Sequence, residues 1–195
     1  MGTLWPVEKT ERRRESVIRT LLIFSVGQRL HIMREKSSGK AQKAEESALR
    51  LLARRDHSRE EIRRKLQARG FTPEEIEKAL KWLEDREILD DLRYAQKLAI
   101  SLAKEKLLGA QRIRQMLFQK GIPAELAKEA VEKADETLAA GERLQIAMRM
   151  KLKGRNPEEI FPDERRKLAG YLRQRGFSWE DIREALQETG GFTEE

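Results

Sequence analysis

The sequence predicts an all-α protein of three tandem three-helix repeats that form an elongated, curved helical array. Gly70, Gly121 and Gly176 lie 51 and 55 residues apart, and this period is typical of repeats built from two or three helices. Apolar residues stand four and eight positions before each glycine, which is helical spacing. A basic residue directly precedes each glycine and an acidic residue follows it by four positions, so one pattern occurs three times.

The unit around each glycine is predicted to be a helix, a glycine turn and a second helix. Glycine adopts the left-handed conformation that closes a helix without steric cost, so the first helix ends there. In the first copy, Ser58 and Glu61 have the spacing of a capping box, and Thr72-Pro73-Glu74-Glu75 has the order expected where the next helix begins. Pro123 and Ser178 stand at the corresponding entries of the other copies.

A further helix precedes each unit and completes the three helices of a repeat. We expect the first from about Glu45 to Arg55, the second after an N-cap at Asp90 or Asp91, and the third as a connector from about Asp135 to Leu152. His57 lies in the turn after the first helix, where we expect a capping or solvated role. The predicted divisions are a basic N-terminal segment, three repeats and a frayed tail: residues 1–44, 45–88, 89–134, 135–190 and 191–195.

The N-terminal segment is the least informative part of the sequence. We expect it to be partly disordered, with a short amphipathic helix near residues 17–26. A basic start before apolar residues also resembles a signal peptide, but Arg19 interrupts the apolar run. The chain contains no run of about 18 apolar residues, so the sequence predicts no membrane-spanning helix.

Composition narrows the classes of function. The 195 residues are 38% charged and 38% hydrophobic, which fits a soluble, mostly helical protein. The absence of cysteine excludes disulfides and thiolate chemistry and is compatible with the cytoplasm. The chain has only two histidines, His31 and His57, which are too few for a histidine-rich metal site and leave little choice for a catalytic triad. We therefore expect no catalytic residues, no cofactor and no metal ion.

Charge is unevenly distributed along the chain. The net charge is +7, and the first 45 residues supply +5 of it, with ten basic against five acidic residues. Residues 104–124 hold five basic residues and one acidic residue, whereas residues 125–142 hold two and six. Residues 143–175 and 74–91 repeat this alternation, with ten against four and three against eight. Stacked repeats of this kind would gather basic helices on one side, which suits a nucleic-acid backbone or an acidic protein groove.

Basic residues of the middle helices are therefore the candidates for contact with a partner or with DNA. They are Arg63, Arg69, Arg112, Arg114, Lys120, Arg173 and Arg175. Arg69, Lys120 and Arg175 directly precede the glycines. They can equally be charges that complement the helix dipole, worth about 0.3–1 kcal/mol each.

Asp90, Asp91 and Arg93 are expected to fix the junction between repeats, together with the three glycines of the repeated pattern. The two carboxylates also suggest a magnesium site of the nuclease type. Capping of the following helix is the simpler interpretation, because acids are favoured at helix N-termini. Aromatic residues pose a similar choice between core and base stacking, with core favoured. These are Phe71, Trp82, Tyr94, Tyr171, Phe177 and Trp179.

Several motifs resemble the RecX family of regulatory proteins over about residues 45–188. They are GFTPEEIEKAL from Gly70, ILDDLRYA from Ile88, IRQMLFQKGIP from Ile113 and YLRQRGF from Tyr171. The segment from Leu89 to Ala95 is the most specific of them. Residues before 45 match no pattern of the family.

The resemblance implies a monomeric, cytoplasmic, non-enzymatic regulator with roles in homologous recombination, DNA repair and the SOS response. Such a protein binds the RecA recombinase filament on DNA and most often inhibits its ATPase, strand-exchange and co-protease activities. Members also bind DNA directly, weakly and without sequence specificity. The alternative from the residues alone is a helix-turn-helix transcription regulator, but the helix after each glycine is acidic and would be repelled by phosphates.

Overall fold

A computed structural model of the protein describes residues 39–187. In this part of the chain all regular structure is helical, with nine α-helices and one short 3-10 helix, Pro157–Glu159, and no strand. The α-helices are α1 Gly39–Leu52, α2 Arg59–Gln67, α3 Pro73–Glu84, α4 Asp91–Lys106, α5 Ala110–Gln119, α6 Ala124–Thr137, α7 Ala140–Leu152, α8 Pro162–Gln174 and α9 Trp179–Gln187. The first and third helices of each successive three pack together, with the second against them. The predicted all-α repeat fold is confirmed.

The first repeat comprises α1, α2 and α3. Ser58 accepts a hydrogen bond from the N–H of Glu61 and closes the predicted capping box at the start of α2. Thr72 caps α3 in the same way, with Pro73 at its first position. A leucine- and isoleucine-rich core forms where the three helices meet, and Ile62 and Leu66 of α2 are fully buried in it.

The second repeat comprises α4, α5 and α6. Asp90 is the N-cap of α4, since its carboxylate accepts the N–H of Arg93. Small side chains line the contact between α4 and α6, so the two helix backbones approach closely; these are Ala95, Ala99, Ala103, Ala127, Ala130 and Ala134. Ile113 and Leu117 of α5 complete this core.

The third repeat comprises α7, α8 and α9, with Leu168, Leu172 and Phe177 buried at its centre. The connector expected as one element from Asp135 to Leu152 is interrupted. Leu138 adopts extended backbone angles and ends α6, and α7 starts at Ala140. The side chain of Arg143 is fully buried at this break, where it donates to the carbonyl of Leu138 at 2.6 Å and pairs with Asp135 at 2.7 Å.

The first helix also differs from expectation, because α1 begins at Gly39 rather than near Glu45 and ends at Leu52. The expected short helix near residues 17–26 and the frayed tail at 191–195 lie outside the described residues. None of the described helices combines the length and the apolar character needed to cross a bilayer.

Candidate interaction surface

The second helices of the repeats, α2, α5 and α8, carry the candidate basic residues. Each is followed within two residues by a basic residue and then by a glycine with positive φ. We call each such pair a basic-glycine corner: Arg69–Gly70, Lys120–Gly121 and Arg175–Gly176. The positive φ, between 77° and 90° at the three glycines, is the conformation expected for the turn that closes each helix.

The corner Lys120–Gly121 of the second repeat docks on the amino terminus of α2 in the first. The hydroxyl of Ser58 donates to the carbonyl of Lys120, and the ammonium of Lys120 contacts the Glu61 carboxylate at 2.9 Å. A Cβ on Gly121 would lie 2.3 Å from the Cβ of Glu60. No larger residue fits this approach, so the glycine serves the junction as well as the turn.

Glu61 is the centre of this junction. Its carboxylate accepts from Arg55 at 3.1 Å, from Lys120 at 2.9 Å, from the Tyr94 hydroxyl at 3.1 Å and from the N–H of Ser58 at 3.3 Å. Burial acts to raise the pKa of Glu61, but the hydrogen bonds from Arg55, Lys120 and Ser58 outweigh it and lower the pKa to about 2. Burial and the negative charge of Glu61 raise the pKa of Tyr94 to about 12.

The aspartates at the start of α4 tie the same two repeats together. Asp91 accepts the N–H of Arg59, the first residue of α2, at 2.7 Å. Burial raises the pKa of this carboxyl although the hydrogen bond opposes it. Asp90 caps α4, and the guanidinium of Arg93 reaches the carbonyl of Glu87 at 3.4 Å. Within residues 39–187, no three His, Cys, Asp or Glu side chains are grouped to hold a metal ion.

The corner Arg175–Gly176 of the third repeat docks in the equivalent way on the amino terminus of α5. The N–H of Gly109 donates to the carbonyl of Arg175 at 2.9 Å, and that of Gln111 to the carbonyl of Gly176 at 3.1 Å. A Cβ on Gly176 would lie 2.3 Å from the backbone nitrogen of Arg112. This second junction is made mainly by hydrogen bonds between backbone groups, whereas the first is made mainly by the ionic cluster around Glu61.

The two junctions place the second helices in a head-to-tail file. The carboxyl terminus of α8 meets the amino terminus of α5, and the carboxyl terminus of α5 meets the amino terminus of α2. Ser58 and Gly109 are the N-caps of the receiving helices, and both stand twelve positions before the glycine of their own repeat. We call these N-cap ends the seats of the file.

The candidate basic residues separate into groups in this arrangement. Lys120 and Arg175 lie inside the junctions, and the Arg175 guanidinium also donates to the carbonyl of Leu107. Arg63 pairs with Glu60 at 2.6 Å and Glu77 at 2.9 Å within its own repeat. The guanidinium of Arg69 contacts Ser47 of α1. These four side chains therefore contribute to the packing of the chain itself.

The remaining candidates lie on the surface of α5 and α8. Arg112 and Arg114 are exposed on α5, but residues two apart on a helix point to different sides of it. Arg173 of α8 donates to the side chain of Gln111 at 2.8 Å and lies 6.0 Å from the ring centroid of Trp179. The two repeats therefore present three guanidinium groups on their surface, without an acidic partner described for any of the three.

Two exposed aromatic rings border this surface. Trp179 is 53% exposed and Phe118 is 75% exposed. Residues 111, 114 and 118 recur at helical spacing, so Phe118 lies on the same face of α5 as Gln111 and Arg114. The other aromatic residues named from the sequence are buried or half-buried, which agrees with the core interpretation for Phe71, Trp82, Tyr94, Tyr171 and Phe177.

Three features of the surface and its junctions are not predicted by the sequence. The sequence predicts Glu61 only as a cap, because its partners Tyr94 and Lys120 are 33 and 59 residues away. Phe118 falls between the apolar positions of the repeat pattern, and that displacement is the available signal for its exposure. His57 is buried with its Nδ1 at 2.9 Å from the carbonyl of Arg55, so of the expected capping or solvated role the solvated position is wrong. Burial is the main cause that lowers its pKa.

These observations define a class of protein: a tandem three-helix repeat chain whose described part is organised by helix packing and charge and shows no reactive cluster of side chains. Comparison with known families is consistent with this class. Models of the first, second and third three-helix domains of RecX match residues 44–83, 90–131 and 146–186. The chain belongs to the RecX family.

Individual relatives agree with this assignment. The chain is 39% identical to regulatory protein RecX of Chlorobaculum tepidum, over 76% of this chain and 89% of the relative. It is 37% identical to regulatory protein RecX of Prosthecochloris aestuarii, over 78% of this chain and 97% of the relative. The crystal structure of RecX from Lactobacillus salivarius shares the fold, with a TM-score of 0.67 at 23% identity, covering 77% of this chain and 96% of that chain.

Proposed function

We propose that this regulatory protein binds the RecA–DNA filament and inhibits its ATPase, strand-exchange and co-protease activities. It does so in the cytoplasm as a monomer, by binding and without catalysis of its own. The observation that carries the proposal is membership of the RecX family through all three repeat domains. The relatives are named as regulatory proteins.

The surface around Arg112, Arg114 and Arg173 supports binding to a filament. These guanidinium groups come from two repeats, so the surface extends along the chain and suits an elongated partner better than a small ligand. Guanidinium groups bind both phosphate and carboxylate oxygens in a bidentate manner. Either the DNA backbone or an acidic groove of RecA can therefore be the target.

RecA's hydrolysis of ATP in the presence of single-stranded DNA tests the function directly. Increasing amounts of this protein should lower the steady-state rate at constant RecA, DNA and nucleotide. An unchanged or increased rate would contradict inhibition.

The double variant Arg112→Ala/Arg114→Ala tests the surface. It should raise the concentration needed for half-inhibition at least tenfold, because two desolvated charge contacts are lost at once. The control Lys128→Ala/Arg183→Ala removes the same charge from exposed positions on α6 and α9 and should inhibit like the wild type. Equal inhibition by both double variants would show that the surface is wrong even if the function is right.

Direct DNA binding is expected to be weak and independent of sequence. Fluorescence anisotropy with duplex and single-stranded DNA should show affinity that falls steeply with salt, as for phosphate contacts in general. A sequence-specific footprint in the absence of RecA would instead support the helix-turn-helix transcription regulator. The geometry gives that alternative no support, because Glu74 and Glu75 form the first turn of the helix after Gly70.

A further inference from the structure

The first basic-glycine corner differs from the other two in its surroundings. Arg69 and Gly70 are both exposed, and a Cβ added to Gly70 would meet no described atom within 4 Å. At Gly121 and Gly176 the same Cβ would overlap a docked helix at 2.3 Å. No described residue donates a hydrogen bond to the carbonyls of Arg69 or Gly70. Among residues 39–187 the same structural element is thus occupied twice and open once.

The occupied corners define what this element binds. In both, the corner carbonyls accept from the N-cap end of a helix: the Ser58 hydroxyl in one case, the Gly109 and Gln111 N–H groups in the other. In the first, a carboxylate at the third helical position also receives the basic side chain of the corner at 2.9 Å. A helix amino terminus with a small N-cap residue and an acid at its third position satisfies all of these groups.

We propose that the Arg69–Gly70 corner is a docking site for a helix amino terminus of this kind in another polypeptide. Charge complementarity favours it, because the corner offers unpaired carbonyl oxygens beside a cationic side chain. The partner supplies donors from its first helical turn and a carboxylate for Arg69. The guanidinium contacts only Ser47 among the described residues and can turn toward that carboxylate.

The second helices of another copy of this chain do not supply the occupant. The seat of the third repeat should lie twelve positions before Gly176, at Glu164, but α8 begins earlier, at Pro162. The additional residues at the start of α8 occupy the position at which a basic-glycine corner docks on the amino termini of α2 and α5. Phe161, the N-cap of α8, is 75% exposed and bulky where Ser58 and Gly109 are small. The file of second helices therefore has one open corner and one obstructed seat.

A peptide with the sequence of residues 56–67, carrying Arg63→Lys and Gln67→Glu so that a side-chain lactam between these two positions holds it helical, reproduces the first seat and serves as the probe. The full-length protein labelled with ¹⁵N is titrated with it to millimolar concentration. We expect saturable shifts centred on the amides of Gly70 and Phe71. A peptide with Phe in place of Ser58 is the control and should cause none, because the seats have no room for a large N-cap side chain.

The matched protein variant is Gly70→Asn. Asparagine tolerates positive φ better than other side chains, and the open space around Gly70 accepts it, so the melting temperature should change little. At the other two corners a Cβ in this position would lie 2.3 Å from an atom of the docked helix. The asparagine side chain should therefore block docking, and the peptide-induced shifts should disappear.

Two results overturn the inference. One is a peptide titration that fails as expected: either the wild type shows no saturable shift, or Gly70→Asn shows shifts equal to those of the wild type. The other is that Gly70→Asn alone, without peptide, shifts resonances of residues 1–38, since that would make the chain's own amino-terminal segment the occupant. The inference is independent of the proposed RecA function, because this experiment contains no RecA and the ATPase measurement contains no peptide.

Discussion

Glu61 shows how one side chain can close a helix and join two repeats. Its carboxylate caps α2 through the N–H of Ser58 and also receives Arg55, Lys120 and Tyr94. The side chain is only 12% exposed, so removal of its charge leaves Arg55, Lys120 and Tyr94 without an acceptor of equal strength at this position.

The Glu61→Gln variant should therefore be less stable at neutral pH by about 1–3 kcal/mol, measured by urea denaturation. Glu60→Gln is the matched control on the same helix. Glu60 pairs only with Arg63 and Arg64 of its own helix, and partly exposed pairs of this spacing contribute about 0.3–0.5 kcal/mol. A loss as large for Glu60→Gln as for Glu61→Gln would contradict the special role of Glu61.

The contribution of Glu61 should also depend on pH. Its folded pKa of about 2 lies below the ordinary value of 4.5, so the unfolded chain binds the proton more readily. The stabilisation is fully present above pH 4.5 and is lost as pH falls toward 2. The difference in stability between the wild type and Glu61→Gln should shrink over that interval in denaturation curves. A constant difference from neutral pH down to 2 would contradict the assignment.

At the scale of single residues, the sequence predicts hydrogen bonds between residues a few positions apart, but it does not predict contacts between residues far apart in sequence. The caps at Ser58, Thr72 and Asp90 follow from spacing alone, because a cap and its target N–H are three residues apart. The contact between Glu61 and Lys120 depends on how two repeats pack, and no local spacing encodes it.

The helices and their turns are best understood through the three glycines, which share a backbone conformation but differ in their neighbours. Positive φ makes an L-residue such as alanine costly at all three, by about 1–2 kcal/mol, whereas asparagine is tolerated better. Only Gly121 and Gly176 also lack space for a Cβ.

Gly70→Ala should therefore cost about 1–2 kcal/mol, whereas Gly121→Ala and Gly176→Ala should each cost about 1–3 kcal/mol more, from overpacking at a junction. Gly176→Ala is expected to be the worst of the three, because its Cβ meets backbone atoms of Arg112 rather than a side chain. Thermal denaturation of the three variants gives the order. Equal losses of stability in the three variants would show that the positive φ alone, and not the space for a Cβ, sets the cost.

The break between α6 and α7 is the element that periodicity did not reveal. Alanines and leucines continue at near-helical spacing through Leu138, so the sequence reads as one connector. The break is stabilised by Arg143, which binds the carbonyl of Leu138 and pairs with Asp135 while fully buried. A basic residue in a segment rich in charge gives no sign that it is buried.

Arg143→Ala should destabilise the protein by about 2–4 kcal/mol, a little below the loss typical of fully buried pairs, because Asp135 is 38% exposed. Arg149→Ala is the control on the same helix, since Arg149 is exposed in the last turn of α7. It should change stability by less than about 0.5 kcal/mol. Comparable losses in the two variants would contradict a structural role for Arg143.

The whole molecule depends on two junctions of different chemistry. The first is an ionic cluster around Glu61, and the second is a set of backbone hydrogen bonds at Gly109 and Gln111. Removal of the Glu61 charge should therefore loosen the first junction and leave the second in place.

Energy transfer between dyes can detect this difference, and the absence of native cysteine makes specific labelling simple. Exposed positions Lys78, Lys128 and Arg183 on α3, α6 and α9 provide one label site in each repeat. Glu61→Gln should broaden the distance distribution between 78 and 128 and leave that between 128 and 183 unchanged. Broadening of both distances, or of the second alone, would contradict independent junctions.

The repeat order and the number of helices could be predicted at this scale from the glycine spacing. The head-to-tail file of second helices could not. It depends on which end of one repeat meets which end of the next, and the sequence pattern is the same for either choice. The surface of Arg112, Arg114 and Arg173 stays a prediction; the structure joins Arg173 to α5 only through Gln111.

The file also gives the molecule an electrical direction. Each helix carries partial positive charge at its amino end and partial negative charge at its carboxyl end, and α8, α5 and α2 point the same way. Opposite partial charges meet at the two junctions and offset each other, so the remaining poles lie at the start of α8 and the end of α2. Asp163 and Glu164 lie in the first turn of α8 and Arg69 follows the end of α2, so side chains of opposite charge offset both remaining poles.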